Sequence, residues 1–208
     1  MENYTVLTHP LIEHKMTILR NKKTGTKEVR ELVSEISIEL VFEALKDAKL
    51  TEVEVETPMM LSTGKMINED DYAFVPILRA GMGMMEGVIQ VMPNAKIGHI
   101  GLYRDKETLK PIQYFFKVPK EIDKREVLLI DPILATGGSA IDSIQMLKEA
   151  GVTKIKFLCL IAAPDGINKV LDAHPDVKIY TASLGDLNEN GYIPTGLGDA
   201  GDRIFGTK

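Results

Sequence analysis

The stretch with the most chemical content is Asp131-Pro132-Ile133-Leu134-Ala135-Thr136-Gly137-Gly138-Ser139. It follows the apolar run Val127–Ile130 and precedes a helical pattern beginning near Ala140, so it reads as the loop of a strand–loop–helix unit. Ala135, Gly137 and Gly138 carry little or no side chain, which lets consecutive backbone N–H groups converge on one anion. Thr136 and Ser139 add hydroxyl donors, and the helix N-terminus adds partial positive charge. The strand brings Asp131 to the carboxyl edge of a sheet, where open α/β folds bind their ligands. Together these features describe a monophosphate cradle with a carboxylate at its entrance. Rival phosphate motifs do not fit. The chain contains no Gly-x-x-x-x-Gly-Lys-Ser/Thr loop. Gly81-Met82-Gly83-Met84-Met85-Glu86-Gly87 places its third glycine one residue late for a dinucleotide fingerprint, and packing glycines in a Met-rich helix explain it better.

Two further segments stand out. Residues 103–118 place β-prone ends around the charged centre Asp105–Lys110, the pattern of a projecting hairpin or flap. Residues 185–206 hold six of the chain's 17 glycines, which marks backbone that turns sharply or approaches something closely. Ile193, Leu197, Ile204 and Phe205 predict that this segment packs onto the protein.

The elements that must position these residues follow from periodicity. Val29, Leu32, Val33, Ile36, Leu40, Val41, Ala44 and Leu45 recur at the three-to-four spacing of an amphipathic helix. Val53, Val55 and Thr57 alternate with glutamates as in a half-exposed strand ending at Pro58. Short apolar runs recur at 72–78, 97–103, 126–130, 155–162 and 177–181, with helical stretches near 82–92, 139–150 and 165–173. The last ends at His174-Pro175, because proline disfavours helical geometry in the residue before it. Strands that are apolar throughout need cover on both faces, and βαβ alternation supplies it. The expected fold is α/β, a mostly parallel sheet flanked by helices, in one domain spanning residues 1–208.

Composition mostly excludes. The chain has 208 residues, 44% hydrophobic and 26% charged, enough for a substantial core. Its net charge of −5 argues against a protein that coats nucleic acid. A single cysteine, Cys159, rules out an intrachain disulfide framework and a cysteine zinc cage. The N-terminus lacks a signal-peptide layout, and no apolar run approaches the ~18 residues needed to span a bilayer. A cytoplasmic protein without membrane or nucleic-acid partners is expected.

The motifs also carry a resemblance. Asp131–Ser139 is similar to the donor loop of type I phosphoribosyltransferases, and the whole chain resembles the uracil phosphoribosyltransferase family. The match includes His9-Pro-Leu-Ile-Glu-His-Lys, Val75-Pro-Ile-Leu-Arg-Ala-Gly-Met-Gly-Met-Met, Gly101-Leu-Tyr-Arg-Asp and Leu160-Ile-Ala-Ala-Pro-Asp-Gly. It ends with Gly196-Leu-Gly-Asp-Ala-Gly-Asp-Arg-Ile-Phe-Gly-Thr-Lys. The resemblance implies the type I fold, with residues 103–118 as flap and residues 183–208 as the base-binding segment. It implies transfer of phosphoribose from 5-phospho-α-D-ribose 1-diphosphate to uracil, giving UMP for pyrimidine salvage. Arg79 and Arg104 would contact the diphosphate side of the donor, Asp131 through Ser139 its phosphoribosyl part, and Asp199 the ribose, donor or metal. Catalytic roles would fall to Asp131, Arg104 and Asp199, and uracil would be read by the backbone of Ile193 and Gly198-Asp199-Ala200. Mg²⁺ is the implied counter-ion, a homodimer or higher oligomer the implied assembly, and GTP an effector in some members.

The chain departs from the family's pattern in two places. Pro132 stands where the broader phosphoribosyltransferase pattern has a second acidic residue, a change usual in the uracil branch. Pro194-Thr195 replaces the family's Ile/Val-Pro, which moves one backbone N–H and bears on base affinity. Two other readings remain open at this level: an RNA-binding regulator sharing the fold, and a transferase for another base. Other residues have plainer explanations. His9 and His14, five apart, suit no zinc pattern and read as structural. His99 reads as a packed or rim residue, and His174 as a helix-end cap. Met82, Met84, Met85 and Met92 read as core or subunit interface, and Cys159 as inert strand material.

Overall fold

The structure, a computed structural model, describes residues 3–104 and 111–207, apart from the side chains of Arg104 and Pro111. The chain opens with β1 (Tyr4–Val6), α1 (Pro10–Arg20) and α2 (Thr26–Ala44), followed by β2 (Leu50–Glu56) and β3 (Leu61–Ile67). β4 (Tyr72–Leu78), α3 (Met85–Val91), β5 (Lys96–Ile97), β6 (His99–Arg104) and β7 (Pro111–Lys117) come next. The second half runs through β8 (Glu126–Ile130), β9 (Ile133–Leu134), α4 (Gly138–Glu149), β10 (Lys154–Cys159) and β11 (Ile161–Ala162). α5 (Pro164–Ala173), β12 (Lys178–Thr181) and α6 (Ala200–Phe205) complete it.

The central sheet has the order β1-β12-β10-β8-β4-β6-β7, with β5 also beside β4. β6 and β7 pair antiparallel, whereas the other neighbours run parallel. Strand alternation splits the core into two layers. Phe74, Leu128, Ile130 and Leu158 face α1, α2 and α3. Val75, Val127, Leu129 and Phe157 face α4 and α5. Both faces are therefore covered, which explains why β4 and β8 are apolar apart from Glu126, and why β10 is apolar beyond Lys156.

Two buried contacts set the helices' approach. Gly87 of α3 lies where a Cβ would collide with the Ser34 carbonyl of α2, so the Met-rich segment owes this glycine to packing. Lys156, buried on β10, is matched by Asp47 at 2.6 Å, Glu126 at 2.7 Å and the Ala44 carbonyl at 2.6 Å. Desolvation of a buried ammonium is offset only by such close partners.

The expected α/β architecture is present, with several elements beyond those read from the sequence. β1 and α1 had no counterpart, and β2 continues into an antiparallel ribbon with β3. The run 155–162 divides at Leu160, whose N–H donates to the Pro132 carbonyl at 3.0 Å. The helix expected at 82–92 begins as a 3-10 turn over Ala80–Met84. Met84, Met85 and Met92 are core, while Met82 is exposed. Of the four residues expected to pack the C-terminal segment, Ile193, Leu197 and Ile204 are buried and Phe205 is exposed. Among the described residues no helix is long and apolar enough to cross a membrane.

Candidate active site

The first wall of the site grows from the end of β8. Asp131 is tied to the sheet by its N–H, 3.2 Å from the Leu158 carbonyl. The segment after it is not free loop: β9 pairs in parallel with β11, and Ala163 N–H donates to the Leu134 carbonyl at 2.8 Å. Leu134 therefore points into the core. Gly166, in the first turn of α5, sits where a Cβ would collide with the Ala135 carbonyl, so α5 backs the loop directly. Gly137 takes φ +87°, a left-handed conformation that favours glycine, and starts α4 with no side chain capping its N-terminus. A Cβ at Gly138 would meet nothing within 4 Å. Uncapped N–H groups beside open space, at the positive end of a 12-residue helix, form an anion seat.

The second wall comes from the glycine-rich segment. Asn188 closes a tight turn, its Oδ1 accepting from the N–H groups of Asn190 and Tyr192 at 3.0 Å each. This turn rests on the first wall, since a Cβ at Gly191 would lie 3.0 Å from Thr136 Cγ2. Asp199 caps α6 by accepting from the Asp202 N–H at 2.9 Å. Between the walls lies a cavity of about 690 Å³. Asp131, Pro132, Ile133, Ala135 and Thr136 line one side. Asn190, Gly191, Tyr192, Gly198, Asp199, Ala200 and Gly201 line the other, with Ala80 at its edge. The volume suits a small-molecule ligand. A cavity of about 550 Å³ beside β1, lined by Leu7, His9, Phe42 and Lys46 among others, has no comparable phosphate-loop geometry.

Electrostatics single out Asp131. Burial pushes its carboxyl up to about 8, so the group retains its proton through neutral pH when no ligand is bound. Cys159 is pushed up to about 12, by burial first and then by Asp131 nearby among other effects, which makes it an inert thiol. Among the described residues no group of three or more His, Cys, Asp or Glu side chains is arranged to hold a metal. Asp131 and Asp199 are the carboxylates that line the cavity.

Most residues singled out from the sequence converge here, with exceptions. Arg79 follows β4, lies exposed at the rim and pairs with Asp202 at 3.6 Å. Its Nη2 is 4.0 Å from where a Cβ on Gly201 would sit. Arg104 ends β6, opposite Pro111 of β7, but its side chain and residues 105–110 of the expected flap lie outside the described residues. Gly137, Gly138 and Ser139 sit at the start of α4 rather than along the cavity. Ile193 is buried in the core, and its carbonyl accepts from the Gly196 N–H at 2.9 Å. Its side chain therefore supports the wall rather than lining it. Asn190, Gly191 and Tyr192 were not anticipated individually, although Asn190-Gly191 is a turn signal visible in the sequence. Two of the histidines play structural parts: His9 caps α1 by accepting from the Leu11 N–H, and the His174 ring lies 3.1 Å from the Ile141 carbonyl.

The chain is similar to known proteins. The family model described as uracil phosphoribosyltransferase matches residues 6–207. A uracil phosphoribosyltransferase of Dictyoglomus thermophilum is 57% identical over 204 residues, covering 98% of this chain and 99% of that one. Another, of Lactiplantibacillus plantarum, is 54% identical over 209 residues and the full length of both. Among solved structures, the AQ2163 protein from Aquifex aeolicus superposes with a TM-score of 0.92 at 39% identity, covering 97% of each chain. Adenine phosphoribosyl transferase from Trypanosoma brucei superposes with a TM-score of 0.59 at 14% identity, covering 96% of this chain and 89% of that one. The last is a likeness of fold alone.

Proposed function

The chain belongs to the uracil phosphoribosyltransferase family, and from that premise we propose that its cleft transfers the phosphoribosyl group of 5-phospho-α-D-ribose 1-diphosphate to uracil. The products are UMP and diphosphate. The observation that carries this reading is the single cavity between an anion-seating loop and a glycine-rich wall. One side suits the donor's 5-phosphate and the other a flat base, which brings the anomeric carbon and the reacting base nitrogen together.

The reaction breaks the anomeric C–O bond to diphosphate and forms a C–N bond to the base, with oxocarbenium character at the ribose. Diphosphate already leaves well once its charge is offset. The protein's task is alignment and charge stabilisation, so no nucleophile–base triad is required. In this assignment the backbone of Thr136–Ser139 and the α4 N-terminus hold the 5-phosphate. Asp131, behind the loop entrance, accepts from the ribose hydroxyls. Arg79 faces the diphosphate, and Arg104, at the end of β6, is assigned to the same charged group. The base is read by backbone groups in residues 183–208, with Ile193 and Gly198-Asp199-Ala200 as the assigned contacts. Tyr192, exposed at the cavity, offers a face for stacking. A backbone wall discriminates by complementary donors and acceptors, which penalises a base whose amine meets a donor.

A divalent cation fits this site as an ion carried by the diphosphate, because two carboxylates do not make a closed protein cage. We assign Mg²⁺, with Asp131 and Asp199 as the residues that would hold it, and when bound it neutralises leaving-group charge. The family resemblance also supports a homodimer or higher oligomer, GTP as effector and a cytoplasmic place in pyrimidine salvage. Incubation of purified protein with labelled uracil, donor and Mg²⁺ tests the central reading. UMP is the expected product, and its absence across neutral and mildly alkaline pH overturns the assignment. Adding cytosine, hypoxanthine and orotate as competitors tests whether Pro194-Thr195 leaves the preference for uracil intact.

A further inference from the structure

Two adjacent residues of α6 reach in opposite directions, and neither lines the cavity. The Asp202 carboxylate lies 3.6 Å from Arg79 Nη2 and also accepts the Thr207 hydroxyl. Arg203 turns away from it. Its Nη1 donates to the carbonyls of Leu19 at 2.6 Å and Leu197 at 3.2 Å, and its Nη2 to that of Asn21 at 2.9 Å. The Leu19 and Asn21 carbonyls belong to the C-terminal end of α1, where carbonyls lack intrahelical partners and the helix dipole is negative. Leu197 immediately precedes Gly198 and Asp199 of the cavity wall. A six-residue helix does not hold itself in place, so side-chain ties of this kind determine where it sits.

We propose that α6 positions the two halves of the site separately: Asp202 holds Arg79 on the diphosphate side, and Arg203 holds the Leu197–Asp199 turn on the base side. This rests on the assignment above of Arg79 to the donor and of residues 198–200 to the base. Both are positioning residues, acting through Arg79 and through the wall. Asp202 orients an exposed guanidinium for which it is the one ion-pair partner among the described residues. Arg203 fastens the base wall to α1, the helix behind it, by three charge-assisted bonds to backbone.

The two contributions differ in size. An ion pair at 3.6 Å with one solvent-exposed partner is weak, so losing it changes donor affinity by about three- to fivefold. Bonds from a half-buried guanidinium to carbonyls are stronger, so losing them changes base affinity by about tenfold or more.

Steady-state kinetics of wild type, Asp202→Asn, Arg203→Met and Arg203→Lys separate these roles. The Asn variant retains an acceptor for Thr207 and removes the charge that faces Arg79. It should raise KM for the donor and the inhibition constant of diphosphate about three- to fivefold, with KM for uracil changed by less than about twofold. Arg203→Met should do the reverse, raising KM for uracil about tenfold with donor KM nearly unchanged, and added guanidinium ion should restore part of the loss. Arg203→Lys, which keeps the charge but cannot fork to three carbonyls, should fall between and carries the test should the Met variant not fold. Equal changes in both KM values, or no change in either, would overturn the proposal. Absence of uracil turnover in the wild type would instead count against the assigned reaction. In that case donor binding measured without base still tests Asp202, and an unchanged donor affinity in Asp202→Asn overturns its role.

Discussion

Asp131 sits in surroundings that oppose its charge, and the substitution Asp131→Asn turns that into a measurable stability difference. Burial holds the carboxyl near 8, while an unfolded chain returns it to an ordinary value near 3.8. The folded state therefore binds a proton that the unfolded state releases. The associated stability is fully present below about pH 3.8 and is lost as pH rises through about 8. Each pH unit in that window removes up to about 1.4 kcal/mol. Integrated from about pH 5.5 to about pH 7.5, the loss is about 2.5 kcal/mol at full strength. The carboxyl keeps one side toward the cleft, and halving the value for solvent gives about 1.2 kcal/mol. Asparagine has the same shape and no charge to bury, so the variant escapes the loss while every other titration is shared and cancels. For a chain of this length the melting temperature of Asp131→Asn should gain about 2–5 °C on wild type between the two pH values. Thermal melts of both proteins without ligand read this directly. A difference that stays constant with pH would refute the account of Asp131 as a carboxyl strained by desolvation.

Three further outcomes follow from the same geometry. Donor binding near pH 7 should release close to one proton, as Asp131 is drawn into its charged form by the ribose hydroxyls and cation. Calorimetry in buffers of different ionisation enthalpy measures the number, and zero release would place Asp131 outside the binding event. Gly138→Ala puts a methyl in the open anion seat, where it meets no protein atom within 4 Å. Helix propensity should leave the fold unchanged or about 1 kcal/mol more stable, while KM for the donor rises about tenfold. Gly87→Ala should destabilise by about 1–3 kcal/mol in denaturant melts, because its Cβ meets the α2 backbone, with little change in KM for either substrate in the folded fraction.

The sheet was legible wherever strands are buried on both faces. Runs such as Tyr72–Leu78 and Glu126–Ile130 are nearly unbroken apolar stretches because helices cover them on each side. β3 was not legible for the opposite reason. Its residues Leu61–Ile67 are mostly exposed, so no alternation between core and solvent marks them as a strand. α1 carries a usable signal that periodicity alone passed over: Pro10 at the first helical turn, with His9 capping it. At the site, Asp131–Ser139 could be read because a phosphate loop is local in sequence. The pairing of β9 with β11 and the support from Gly166 depend on residues about 30 positions away and appear only in three dimensions. The facing wall was visible as excess glycine. Which groups of that wall line the cavity depends on how the Asn188 turn docks on Thr136, and Ile193 turns into the core instead.

Uracil receives phosphoribose in the cleft between these two walls. UMP formation from labelled uracil and donor, measured side by side for wild type and a folded Asp131→Asn variant, tests it most directly. Wild type should form UMP rapidly and the variant at a rate at least about a hundredfold lower, despite its equal or greater thermal stability. Equal rates in the two proteins would contradict it.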